Sequence, residues 1–408
     1  MKQFTIPSVY RSPLIAAIKN KRKEADRLKK DFSPTRLNFG PVEIILARHF
    51  GFCYGVENAI EIAFDTIEKN KDKRIFLLSE MIHNPFVNED LLSKGVRFLM
   101  DTKGKTLIPF SELTRDDVVI IPAFGTTLDI ENELRAIGIQ IEQYNTTCPF
   151  VEKVWNRSEQ IAKKGYSIVV HGKPSHEETR ATFSHSDEHA PTLVINDMAE
   201  AIVLGEFVLG KREAHTFPDV FNGRYSEGFD CTRDLVRFGV VNQTTMLASD
   251  TQSIADYLRT VLMEKYGLNE STASSHFADT RDTLCYATND NQTAVLSLMK
   301  EQADLAIVMG GRKSSNSSHL VELLEQQFPT YFIESHTDIP SWQLIQGFNW
   351  RTHEPYERVD FLPTNTPVRI AMTSGASCPD AVVEATIERL VSFFPGARTL
   401  RSIQSEWE

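Results

Sequence analysis

The amino-acid sequence predicts an α/β protein of three pseudo-repeated α/β modules behind an N-terminal helical extension. Three observations lead there. From Pro41 onward, short Val- and Ile-rich runs alternate with amphipathic stretches, the pattern of parallel strands joined by helices. One grammar occurs three times: a cysteine ahead of a helical pattern, a polar strand end about thirty residues later, then a second strand and a small-residue turn before a helix. Charge is also uneven. Residues 1–40 carry ten basic and three acidic side chains, net +7 against a whole-chain charge of −11, which leaves −18 on the rest.

The basic extension spans 1–41. Leu14, Ile18, Ala25, Leu28 and Phe32 follow Pro13 at roughly helical spacing, which predicts a short amphipathic helix docked on the main body. Its Glu24, Asp26 and Asp31 argue against an organelle-targeting segment. The first module, 42–147, holds the runs VEIILA, RIFLLSE and DVVIIPAF, and the tail 378–408 is expected to join it. The second, 148–283, holds YSIVVHG and RFGVVNQ with an insertion, irregular in pattern, between about Asn196 and Arg237. The third, 284–377, holds ADLAIVMGG and VRIAMTSG. These strands end in or lead into Ser79, His171, Thr244, Ser314 and Thr373, and open parallel sheets bind ligands at the carboxyl ends of strands.

Composition narrows the function. A 408-residue chain with 41% hydrophobic residues and 25 Phe supplies cores for two or three domains and excludes disorder. Net acidity argues against a nucleic-acid partner. No run of eighteen apolar residues occurs, and the start lacks the apolar core of a secretory signal, so no membrane partner and a cytoplasmic location are expected. Five cysteines are too sparse for a disulfide scaffold.

Cys53, Cys148 and Cys285 open the three repeats. If the modules pack about a pseudo-threefold axis, the three thiols converge and bind metal. Helix N-termini favour thiolates, and Pro149 suits the first position of a helix capped by Cys148. Three cysteines can hold a [4Fe-4S] cluster with one iron open, whereas structural zinc would show C-x-x-C pairs, and none exists. The plainer reading is three buried small hydrophobes. His83 with Asn84, His176, Ser314, Ser315, Asn316 and Ser377 place hydrogen-bond donors where strands give way to helices, as a phosphate site requires. Glu178 is the candidate proton donor, because desolvation near an oxyanion would keep it partly protonated. Thr244 and Thr245 are candidates to hold a substrate hydroxyl, or else cap a helix.

Taken together, GFCYGVENAI, MIHNPFVNEDLLSKGV, NTTCPFVEKVWN, GKPSHEETRATF, NQTTMLASDT, LCYATNDNQTAV, GRKSSNSSHL and SGASCPD resemble, in order, the 4-hydroxy-3-methylbut-2-enyl diphosphate reductases (LytB family), of the plant and cyanobacterial type. The resemblance runs from about Val42 to Arg389. It implies a trefoil of α/β modules around a central iron–sulfur cluster held by Cys53, Cys148 and Cys285. It further implies that His83, His176, Ser314, Ser315, Asn316 and Ser377 grip the diphosphate, that Glu178 delivers protons, and that Thr244 lies near the substrate hydroxyl. The implied activity is reductive dehydroxylation of (E)-4-hydroxy-3-methylbut-2-enyl diphosphate to isopentenyl and dimethylallyl diphosphates. This is the last step of the non-mevalonate isoprenoid pathway, and its electrons come from ferredoxin or flavodoxin with its reductase.

Cys231 and Cys378 match no ligand position. Phe124 stands where many bacterial members have a diphosphate-binding histidine, and Thr126 or Thr127 is the nearest substitute donor. The net +7 of the extension suggests a docking surface for an acidic electron donor. Two other functions fit the residues less specifically: a non-redox iron–sulfur hydro-lyase acting on a phosphorylated small molecule, and a phosphate-ligand sensor whose cysteines only pack.

Overall fold

Val368–Ser374 is the central strand of a five-stranded sheet in the order Thr35–Asn38, Val42–Leu46, Val368–Ser374, Leu305–Met309, Thr330–Ile333. The first pair is antiparallel, and the remaining neighbours are parallel, with Ile370 opposite both Ile44 and Leu305. The structure is a computed structural model that describes residues 4–28, 30–278 and 283–408. The first three residues of the extension, Lys29, and residues 279–282 at the end of the expected second module lie outside it.

The chain divides into two compact units, residues 1–61, 82–91 and 286–408 in one and residues 62–81 and 92–285 in the other. In the first unit, side chains alternate across the sheet, as strand geometry dictates. Ile44, Leu46, Leu305, Ile307, Ile370 and Met372 face one core together with the helices Asp380–Val391 and Leu400–Trp407. Ile45, Ala306, Val308 and Ala371 face a second core, against the helices Tyr286–Leu298 and Ser315–Leu324. The expected module boundaries are not where the contacts divide. Val42–Leu46 pairs with Val368–Ser374, so the first strand assigned to the first module completes the sheet of the third. Parallel pairing is non-local, and position in sequence does not reveal it.

The extension is an integral part of this unit. Ser12 caps the helix Pro13–Ala25 by accepting the N–H of Ile15 at 2.9 Å, and Pro13 occupies the first turn. Leu14, Ile15 and Ile18 enter the core beside the two C-terminal helices, each burial worth about 1.5–3 kcal/mol. The apolar stripe stops there. The helix ends at Ala25, and Leu28, past the end, is exposed. Much of the basic charge is used internally: Lys19 pairs with Asp380, Arg22 with Asp31, Arg36 with Glu43 and Glu301, and Lys21 donates to the carbonyl of Glu406. Lys23, Arg27 and Lys30 of the same segment are exposed.

The second unit contains two three-stranded parallel sheets. Ile75–Leu77 lies between Arg97–Phe98 and Val118–Ile120, and Ser167–His171 lies between Thr192–Ile195 and Phe238–Asn242. All three strands of the second sheet are buried, which explains their continuous apolar runs. The insertion is ordered despite its irregular pattern. It supplies the helix Met198–Leu209 and an aromatic cluster of Phe207, Phe217, Phe221, Tyr225 and Phe229. Cys231 packs in that core, and burial pushes its thiol pKa up. Among the described residues no helix is long and apolar enough to cross a membrane.

Candidate active site

In the first unit, the parallel strands Val42–Leu46, Leu305–Met309 and Val368–Ser374 end on one edge, and each is followed by a turn into a helix. At the turn after Leu305–Met309, Ser314 caps the helix Ser315–Leu324 by accepting the N–H of Ser317 at 3.2 Å. Ser315 and Asn316 occupy its first turn, both buried. Asn316 accepts through Oδ1 from the N–H of Ala376 at 3.0 Å and from Asn291 at 3.5 Å. Ala376 in turn accepts the N–H of Cys53 at 3.2 Å. Ser377 donates to the carbonyl of His83 at 3.4 Å. The structure thus gathers His83, Ser314, Asn316, Ser377 and the backbone of Cys53 around one sheet edge.

Two glycines make this approach possible. A Cβ on Gly311 would stand 2.1 Å from the carbonyl oxygen of His83, and one on Gly375 would stand 2.1 Å from Oγ of Ser317. The amide nitrogen Nδ2 of Asn316 is buried and has no partner among the described residues. Buried donors are almost always satisfied. A lone buried donor in the first turn of a helix suits an anionic ligand.

In the second unit, His176 caps the helix Glu177–Asp187, its Nδ1 accepting the N–H of Glu178 at 3.1 Å. An imidazole that accepts through Nδ1 carries its proton on Nε2. Glu178 is 1% exposed. One of its carboxylate oxygens accepts the backbone N–H of Thr244, and the other accepts the Thr244 hydroxyl at 3.0 Å. Burial raises its pKa to about 7, more than those two donors lower it. The carbonyl of Thr244 accepts the N–H of Cys285 at 3.4 Å.

Cys148 occupies the position before the helix Pro149–Ala162 without a side-chain capping bond, and its N–H donates to the carbonyl of Ala123 at 2.9 Å. Next to Ala123, the edge of Phe124 meets the ring of His176, centroids 5.5 Å apart at 87°. Phe124 therefore buttresses the histidine and donates nothing. Neither expected substitute is assigned its role by the geometry: the carbonyl of Thr126 contacts His185, and Thr127 begins the helix Leu128–Ile137.

All three repeat cysteines stand immediately before a helix: Cys53 before Tyr54–Lys69, Cys148 before Pro149–Ala162, Cys285 before Tyr286–Leu298. None is in a disulfide. Burial raises the pKa of Cys53, while the backbone N–H groups of Val56 and Gly55 act in the opposite sense by bonding to its sulfur. That donor set fits thiolate ligation. Cys53 belongs to the first unit and Cys148 and Cys285 to the second, and among the described residues no three His, Cys, Asp or Glu side chains close on one point. Cys378 lies wholly in the core, and burial pushes its thiol to about 12, which leaves it a packing residue.

Sequence reasoning passed over Gln243, inside NQTTM. Its Oε1 accepts from Lys173 at 3.1 Å and Thr179 at 3.0 Å, and its Nε2 reaches Thr245 at 2.7 Å. Its place beside the two threonines was the available signal. Asn291 was also missed, because nothing in a helix interior marks a residue that reaches the next helix.

Fold and site define an α/β protein with an anion-suited strand edge in one unit and, in the other, a buried acid linked through Thr244 to the helix-initiating Cys285. The chain belongs to the LytB protein family, whose model matches residues 44–391. It is similar to the 4-hydroxy-3-methylbut-2-enyl diphosphate reductase of Synechococcus sp. (strain WH7803), 37% identical over 95% of this chain and 92% of that one. It is 40% identical to the enzyme of the same name from Synechococcus sp. (strain CC9605), over 87% of each chain. Among solved structures it resembles the E-1-hydroxy-2-methyl-but-2-enyl-4-diphosphate reductase from Plasmodium falciparum, with a TM-score of 0.62, 21% identity, and coverage of 86% of this chain and 89% of that one. That likeness supports the fold.

Proposed function

We propose that this chain reduces (E)-4-hydroxy-3-methylbut-2-enyl diphosphate to isopentenyl and dimethylallyl diphosphates, the terminal step of the non-mevalonate pathway. Two electrons and two protons enter, the allylic C–O bond breaks, a C–H bond forms, and water leaves. Family membership supports the substrate and reaction. The observation that carries the chemistry is Glu178, buried, oriented by Thr244, and titrating near neutrality.

Cys53, Cys148 and Cys285 are the proposed ligands of a [4Fe-4S] cluster, which when bound supplies single electrons and a Lewis-acidic iron free of protein ligation. Ser314, Ser315, Asn316 and Ser377, with His83 and His176, are the proposed diphosphate ligands. Helix N-termini and neutral donors there compensate the anion locally, despite the chain's net −11. Glu178 is the proposed general acid: with a pKa about 7 it is protonated in a large fraction of molecules at neutral pH and can still release the proton. Thr244 holds both carboxylate oxygens and so fixes the direction of transfer. Ferredoxin or flavodoxin with its reductase is the proposed electron source, and the cytoplasm the proposed location.

The test is anaerobic reconstitution with iron and sulfide, reduction by dithionite and methyl viologen, and product analysis. The reading expects both C5 diphosphates and none without reductant. Reductant-independent conversion, or a protein that takes up no iron, overturns it.

A further inference from the structure

The extension reaches both sides of Cys53. Tyr10, 1% exposed, sets its ring edge-on against Phe52, the residue before Cys53, with centroids 5.8 Å apart at 69°. The same ring meets Phe86 at 5.8 Å and 73°, in the helix Pro85–Ser93 that begins two residues after His83. Its hydroxyl donates to Asp90 of that helix at 2.6 Å. On the other side of Cys53, Phe4 packs edge-on against Tyr54 at 4.9 Å, and the N–H of Thr5 donates to Glu61 at 2.8 Å.

We propose that Tyr10 is a positioning residue, tying the loop that carries Cys53 to the helix that starts beside His83 and so setting the separation of the two elements. The inference rests on the proposed function for what these elements hold. A hydrogen bond to a carboxylate is stronger and more directional than one between neutral groups, and edge-on aromatic pairs resist sliding, so one side chain restrains both partners. Burial, reinforced by the Asp90 carboxylate, drives the phenol pKa well above its ordinary value, so the hydroxyl stays a donor across the working pH range. Some of the basic residues noticed in the sequence lie on the same segment and serve other contacts, such as Lys19 with Asp380.

Tyr10→Phe keeps the ring and removes only the hydroxyl, Asp90→Ala removes the acceptor, and the double variant closes a cycle. In reconstituted protein under argon, KM for the allylic diphosphate and the calorimetric dissociation constant of inorganic pyrophosphate should rise together, about 3- to 10-fold in each single variant. The double variant should be no worse than the more affected single, with kcat changed less than 2-fold, roughly the error of such comparisons. Unchanged KM and pyrophosphate affinity overturn the proposal, whatever happens to the melting temperature, because a purely structural tyrosine would lower only the latter. Additive losses in the double variant overturn it too. Wild-type protein that binds pyrophosphate yet forms no reduced product would instead overturn the proposed function.

Discussion

Thr244 holds Glu178 by both oxygens, one through its backbone N–H and the other through its hydroxyl at 3.0 Å, while its carbonyl receives the N–H of Cys285. A candidate acid and a candidate metal ligand are thus registered through a single residue. The turn after Phe238–Asn242 supplies that residue, where the carboxyl end of a parallel strand meets the next helix.

Glu178→Gln should retain iron and diphosphate affinity while lowering kcat by about 10²- to 10⁴-fold, the range for loss of a general acid. Single-turnover product formation in chemically reduced enzyme measures it. A rate within a few-fold of wild type removes Glu178 from the acid role.

The raised pKa of Glu178 also makes stability depend on pH. A folded pKa of about 7 against the ordinary 4.5 means that its contribution is complete below pH 4.5 and is lost as pH rises through 7. Relative to Glu178→Gln, wild-type protein should lose about 3 kcal/mol between roughly pH 4.5 and 8, since each tenfold change in proton affinity is worth about 1.36 kcal/mol. Urea unfolding of both proteins across this range checks the slope. Turnover should fall on the alkaline side near pH 7, and Thr244→Val, which removes a donor to the carboxylate, should move that limb upward.

Serine at Cys53, Cys148 or Cys285 should each prevent cluster assembly, whereas Cys231→Ser and Cys378→Ala should keep full iron and sulfide content. The last change deletes a buried sulfur and should cost about 1 kcal/mol of stability. Iron and sulfide counts with Mössbauer spectra separate the two groups.

Gly311→Ala should be among the more damaging small substitutions, because its Cβ would meet the carbonyl of His83 at 2.1 Å and backbone must shift. About 1–3 kcal/mol of destabilisation is expected, together with a raised KM. Denaturation and steady-state kinetics test both. An alanine with unchanged KM would mean that the separation of Gly311 and His83 does not matter for substrate.

Phe124→Ala removes the ring that meets His176 edge-on at 5.5 Å. That contact is worth about 0.5–1.5 kcal/mol, so KM should rise about 2- to 12-fold with kcat nearly constant. A fall in kcat alone would instead assign Phe124 to the chemistry.

What the sequence determined by itself is local. Strands such as Ser167–His171 were visible as buried apolar runs and the three cysteines as helix starts, because each depends on neighbours a few residues away. Tertiary structure decided the rest. It placed Val42–Leu46 beside Val368–Ser374, more than three hundred residues on, and so redrew the module boundaries. It ended the extension's apolar stripe at Ile18, bound several of its basic residues into internal pairs, and turned Phe124 from a missing donor into a buttress for His176. Parallel pairing, ion pairing and ring packing all join residues far apart in the chain, so neither spacing nor composition can show them.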